Sequence, residues 1–233
     1  MRHRVERWLT LVLLAFSPAT AGAGSIVGTL SLESEVRTSS GPAPTDRAQI
    51  ARIKRGVTDA VVYLDNVPES VEEKLERAQR GSWFARRSTE PAIVETNQRF
   101  LPTITVIPIG ASVRFENTDR IYHRVFSISP AKPFELGGTA PGSSNEVRFD
   151  RTGLIQLYCN LHSNEAGFVL VTPNRAFTRP DSLGRFRLPK LPEGTYVLHV
   201  WHPNGTSQRT VQMTKKGDVS VDLRLRRDAA ATK

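Results

Sequence analysis

The chain has 233 residues, 39% hydrophobic and 24% charged, with a formal net charge of +9. That composition excludes a disordered polyelectrolyte, and the length allows one large domain or two small ones. The basic residues are scattered rather than interleaved with aromatics, which argues against nucleic acid as a partner and leaves acidic protein surfaces or anionic lipid as neighbours.

Residues 1–21 read as a cleaved secretory signal. Arg2, Arg4 and Arg7 form a basic start, Trp8 to Phe16 an apolar core, and Ala19-Thr20-Ala21 a small–x–small cleavage pattern. The apolar run is too short to span a bilayer as a helix, so no stable membrane span is expected. Loss of this segment removes three arginines and Glu6, leaving +7 on the mature chain. The expected location is the periplasm.

Gly24 to Leu32 reads as a strand, residues 33–56 as a polar loop, and Ala60 to Leu64 as a second strand. Ser70 and Glu73 have capping-box spacing, which predicts a short helix from Pro68 to about Arg80. The Arg-rich piece 81–91 reads as linker.

From Pro91 the pattern alternates. Ile104 and Val106, then Val113 and Phe115, predict a hairpin broken at Pro108-Ile109-Gly110 and ended by Asn117-Thr118-Asp119. His123 to Ser127 is a further strand with His123 and Val125 on one face, and 130–145 reads as loop. Val147 and Phe149 mark another strand. Ile155, Leu157 and Cys159 share a face of the next, and Phe168 to Val171 form the last of this group. The C-terminal part predicts four more strands, at Arg185–Leu188, Tyr196–Trp201, Val211–Met213 and Val219–Leu225, with a tail at 228–233. An all-β chain with closely spaced turns predicts β-sandwiches.

The chemistry concentrates at Tyr158-Cys159-Asn160-Leu161-His162-Ser163-Asn164-Glu165. Cys159 is the single cysteine, and His162 is one of five histidines. One cysteine makes no internal disulfide, and a thiol kept in an oxidising compartment points to a protecting metal or a buried site. A thiolate and two imidazoles in a plane, with a weak axial ligand, is the blue-copper donor set. Cys159, His162 and the upstream His123 supply its trigonal part. Against this stand plainer readings: Cys159 as a small buried hydrophobe, His123 as a satisfied histidine, and Glu165 as a solvated loop carboxylate. His202 beside Trp201 reads as a packing or turn residue at a sandwich end. No paired catalytic carboxylates, Ser–His arrangement or phosphate loop emerges, so no enzymatic activity is expected.

These residues carry a resemblance. Phe100-Leu101-Pro102, Gly110 to Asp119, His123 to Ser127, Phe134-Glu135-Leu136 and Cys159-Asn160-Leu161-His162 make residues 91–173 similar to a plastocyanin/amicyanin-type cupredoxin, a Greek-key sandwich. More narrowly, with Val200-Trp201-His202-Pro203, they resemble exported cupredoxin-like proteins labelled methylamine utilisation proteins. The resemblance implies copper held by His123, Cys159 and His162, and single-electron exchange with redox partner proteins. It also implies an axial Met three residues after the second histidine, where this chain has Glu165. Glu165 either ligates through its carboxylate or points to solvent and leaves an open position; Glu95, where that family usually has Gln, is a second oxygen candidate. A copper carrier or catalytic copper protein, and a metal-free envelope module, are the rival functions.

The terminal segments carry a second resemblance. Gly28-Thr29-Leu30, Asp59 to Leu64, Thr178 to Phe186, Leu191 to Tyr196 and Val219 to Leu225 are similar to a carboxypeptidase regulatory-like (transthyretin-like) sandwich. This implies that 22–66 pairs with 174–227, with the short helix and linker at 67–90 leading into the inserted cupredoxin.

Overall fold

A computed structural model describes residues 23–33, 56–81, 91–215 and 217–226. The signal segment, nearly all of the 33–56 loop, residues 82–90 and the 228–233 tail lie outside the described residues. Strands β1 (Gly24–Glu33) and β2 (Val61–Leu64) precede helix α1 (Glu69–Gly81). Then come β3 (Ala92–Thr96), β4 (Arg99–Leu101), β5 (Ile104–Pro108), β6 (Ser112–Asn117) and β7 (Val125–Ser127). After these come β8 (Phe134–Glu135), β9 (Ser144–Arg148), β10 (Gly153–Cys159) and β11 (Ala166–Thr172). The remaining strands are β12 (Phe177–Thr178), β13 (Arg185–Leu191), β14 (Gly194–His202), β15 (Gly205–Met213) and β16 (Val219–Arg226). The protein is mostly β, with multiple sheets and a short helix.

The outer strands form two sheets, ordered β13-β1-β16 and β12-β2-β14-β15. Their facing sides enclose one core that includes Ile26, Leu30, Val62, Leu64, Leu188, Leu198 and Leu223. β1 is the keystone: it runs antiparallel to β13 and parallel to β16, from Ile26 opposite Val219 to Glu33 opposite Arg226. That approach is close at Gly28, where an added Cβ would fall 1.9 Å from the carbonyl oxygen of Val221. Glycine is the residue that admits the neighbouring backbone there.

Residues 92–172 form two further sheets, β5-β11-β10-β7-β8 and β4-β3-β6-β9. Alternation along each strand turns Ile93, Phe115, Val147, Ile155, Leu157 and Val169 inward to a shared core. Contacts between Val61, Ile104, Leu170 and Trp201 join this sandwich to the outer one. Phe168 meets Trp201 edge-on with ring centres 5.5 Å apart, and Arg179 donates to the carbonyl of Ile104 at 2.6 Å.

Five features differ from the sequence reading. β5 and β6 are not a hairpin; they belong to opposite sheets, because the Pro108–Gly110 turn carries the chain across the sandwich rather than back along it. β3 and β4, which the sequence reading passed over, make a tight hairpin whose turn residues Asn97 and Gln98 both have positive φ, 51° and 54°. His123 lies before β7 and makes an isolated bridge with Thr139, and the expected 130–145 loop holds β8 and the start of β9. In α1, Ser70 sits inside the first turn and makes no capping box; the amides of Val71 and Glu72 donate to the carbonyl of Pro68, and Glu73 pairs with Arg77 at 2.6 Å.

Because β1 and β2 are hydrogen-bonded into sheets completed by β12–β16, a chain cut between residues 82 and 90 is expected to stay together. Gel filtration after limited proteolysis checks this; separation of the two pieces without denaturant would contradict the pairing.

Candidate metal centre

Cys159 closes β10, and Ala166 opens β11, so the loop 160–165 bridges two antiparallel neighbours. The inward alternation Ile155, Leu157, Cys159 brings the thiol to the end of the core. The loop is tied down by its own backbone: Glu165 N donates to His162 O at 3.1 Å, Cys159 N to Glu165 O at 3.3 Å, and Asn160 N to Arg124 O at 2.9 Å. This short closed loop returns Glu165 to the side of the sheet that Cys159 faces.

His123 arrives from the other direction. Its backbone exchanges two hydrogen bonds with Thr139, at 3.2 and 2.7 Å. The Asn117 amide donates to the carbonyls of Ile121 and Thr139, both at 2.8 Å, and so pins the segments on either side. Asp119 then orients the ring. Its carboxylate accepts from the amides of Asn97 and Gln98 at 2.7 and 3.0 Å and faces His123 Nε2 at 3.0 Å. With a metal ion held at Nδ1, Asp119 would accept from Nε2–H and leave the Nδ1 lone pair facing inward. Burial alone would raise the pKa of Asp119, but the Gln98 and Asn97 amides, followed by His123, outweigh it and hold the carboxyl below its ordinary value.

Four donor atoms converge at this end of the sandwich. His123 Nδ1 lies 2.8 Å from Glu165 Oε2, and His162 Nδ1 lies 3.3 Å from the same oxygen. Cys159 Sγ is 3.4 Å from His162 Nδ1 and 3.9 Å from His123 Nδ1. All four atoms lie within 4.8 Å of one another and could hold a metal ion. Bonds of about 2.0–2.3 Å to nitrogen, oxygen and sulfur place donors of one ion roughly 3–4 Å apart, so the separations fit. His123, Cys159 and Glu165 are buried, and only His162 keeps an edge in solvent, with 17% of its side chain exposed.

The solvent-facing alternative for Glu165 is therefore corrected. The hydrogen bonds of the short loop turn its carboxylate inward, at 1% exposure. His202 has the packing role read for it: its Nε2 lies 2.7 Å from the carbonyl of Gly56, and its Nδ1 accepts from Asn204 N at 3.1 Å.

The centre gathers buried acceptor groups around one point. His123 Nδ1 and Glu165 Oε2, 2.8 Å apart, are joined by a proton or by a shared metal ion. Burial pushes the Cys159 thiol up; the Arg124 and Leu161 amides pull it down, and Glu165 adds to the rise. A metal ion held by His123, Cys159, His162 and Glu165 would take the place of the thiol hydrogen. Glu95, on β3, is also buried, its Oε2 3.9 Å from His123 Nδ1. Burial is the main reason its pKa rises to about 7; His123 lowers it, and Glu165 and Asp119 raise it.

No family model and no curated protein matches the chain. Among solved structures, the copper-containing nitrite reductase NirK from Thermus scotoductus SA-01 is 22% identical over 35% of this chain, with a TM-score of 0.34. The likeness is partial. This chain covers 22% of that reductase. A purple cupredoxin from Nitrosopumilus maritimus is 25% identical over 36% of this chain and 100% of its own, with a TM-score of 0.33. An amicyanin variant in its Cu(I) form is 16% identical over 35% of this chain and 81% of its own, also with a TM-score of 0.33.

Asp119 and the positive-φ turn that holds it were passed over as site features by the sequence reading. Their signal was present as Asn97-Gln98 and Asn117-Thr118-Asp119, two turn-forming stretches that only the fold brings together.

Glu95 has a pH signature in the metal-free protein. Its folded pKa is raised from 4.5 to about 7, so the folded state holds the extra proton, and its contribution to stability falls as pH rises through that window. Denaturation midpoints measured across this range should fall more steeply for the wild type than for Glu95→Gln. Equal slopes would show that Glu95 does not carry the shift.

Proposed function

We propose that this is an exported copper protein that passes single electrons between larger redox proteins, built as a cupredoxin inserted into a regulatory-like sandwich. The observation that carries the reading is the convergence of His123 Nδ1, Cys159 Sγ, His162 Nδ1 and Glu165 Oε2 on one buried point. A soft thiolate with two imidazoles suits copper, and the carboxylate in the fourth position favours its divalent state. Copper would supply a one-electron couple.

The chain's residues do the rest. Strand β10 and the His123–Thr139 bridge hold the donors nearly fixed, so little would move when the charge changes. Asp119 keeps the His123 tautomer that directs Nδ1 inward. Burial of three donors restricts solvent access, which favours electron exchange over reaction with an outside ligand. The His162 edge is the route to the surface, and exposed Leu161 beside it in the chain, with Ile121 and Tyr122 before His123, offers an apolar face to a partner protein. Among the described residues no helix is long and apolar enough to cross a membrane. The arginine-rich start at residues 1–21 supports export to the periplasm.

The purified mature chain loaded with Cu(II) is expected to show thiolate-to-copper charge transfer in the visible region, absent in Cys159→Ala. A wild type without that band refutes the copper reading. Glu165→Gln is expected to raise the reduction potential by about 59 mV for each tenfold loss of Cu(II) preference. An unchanged potential and EPR spectrum would remove Glu165 from the coordination sphere. Azide is expected to leave the Cu(II) spectrum unchanged; a shift would favour the catalytic or carrier reading instead.

A further inference from the structure

We propose that Glu95 is a fifth donor, which makes the centre a two-carboxylate site selective for divalent first-row ions. The inference rests on the metal-centre reading above and deepens it.

The argument begins with the strand pattern. β3 alternates its faces so that Ile93 and Glu95 point into the same core, and both are fully buried. A strand facing a core would ordinarily place an apolar side chain at the second position. The backbone there is fixed: Glu95 is opposite Asn117 on β6 and Phe100 on β4, and its carbonyl accepts from the amide and the hydroxyl of Thr118, both at 3.0 Å. The carboxylate is thus delivered to this place by sheet register, not by a mobile loop.

Its side chain is unsatisfied. Neither Oε1 nor Oε2 of Glu95 has a hydrogen-bond partner, and Glu165 Oε1 also lacks one. Such buried carboxyl oxygens are costly unless something pairs with them. Glu95 Oε2 lies 3.9 Å from His123 Nδ1, the nitrogen that also faces Glu165 and Cys159. An unpartnered carboxyl oxygen, Glu95 Oε2, therefore stands near the inward nitrogen of one ligand. A cation held by the donor cluster would give that oxygen a partner.

Charge decides which cation. One thiolate and two carboxylates carry three negative charges against two neutral imidazoles. A divalent ion leaves one net negative charge in the buried site, whereas a monovalent ion leaves two, and low-dielectric burial penalises the larger imbalance. Hard oxygen donors add to the preference for Cu(II), Co(II) or Zn(II) over Cu(I).

The test compares the wild type, Glu95→Gln and Cys159→Ala, each loaded separately with Co(II) and Cu(II). Wild-type Co(II) is expected to give the weak ligand-field bands of a five-coordinate ion, and Glu95→Gln the stronger bands of a four-coordinate one. The ratio of Cu(II) to Cu(I) affinity should fall about 10–100-fold in Glu95→Gln, the scale found when a partner of a metal site is removed. Unchanged Co(II) bands and an unchanged affinity ratio overturn the proposal. If Glu95→Gln does not fold, X-ray absorption on the Cu(II) wild type counts the donors directly: one sulfur with four lighter donors supports the proposal, and one sulfur with three overturns it. The two levels fail separately. A wild type without thiolate charge transfer defeats the copper reading and this inference together, whereas charge transfer indifferent to Glu95 defeats this inference alone.

Discussion

The structure depends on the meeting of His123 Nδ1 and Glu165 Oε2, held 2.8 Å apart in a buried space. Such a contact needs either an N–H on the imidazole that donates to the carboxylate or a metal ion beside both atoms. Nothing in the two segments that carry these residues would bring them together alone. They meet because β7 and β10 pair through Phe126 with Tyr158 and Val125 with Cys159, and because Arg124 donates its amide to Cys159 Sγ at 3.4 Å. The sheet hydrogen bonds that build the sandwich are therefore the same bonds that position the donor set.

Around that pair the fold arranges supports of decreasing directness. Asp119 orients the His123 ring, and the Asn97–Gln98 turn in turn fixes Asp119. Asn117 ties the backbone on both sides of the histidine. The outer sandwich contributes at a distance: Val61 and Trp201 pack on Ile104 and Leu170, which lie on the strand pair β5 and β11, and β11 is the neighbour of the cysteine strand. A rigid centre suits the one-electron exchange proposed above, since ligand motion between charge states would add to the barrier.

The strands themselves were legible because burial imposes a period of two, visible in Ile155-x-Leu157-x-Cys159 and in Tyr196 to Trp201. The partners were less so. Val113 and Phe115 alternate in the same way whether β6 pairs with β5 or, as found, with β3 and β9. Period tells which face is buried and carries no information about which strand lies alongside. The β3–β4 hairpin escaped because its turn is Asn-Gln rather than a glycine pair, and its strands are short. The helix was found in place although its capping signal was not used, since the spacing of Val71 and Leu75 against the core holds it.

At the centre the division is similar. The sequence by itself determined the donor types and one of their spacings: Cys159, His162 and Glu165 occupy a six-residue loop that can fold back on itself. It also singled out His123 by the motif around it. Tertiary structure decided the rest. It turned Glu165 inward, chose Nδ1 of both histidines to face the thiol, and brought Asp119 and Glu95 from two other strands or turns to the same ring. The physical reason is range. Loop length and strand period act over a few residues, whereas the burial and hydrogen bonding that assign each carboxylate its role depend on sheet register across the whole sandwich.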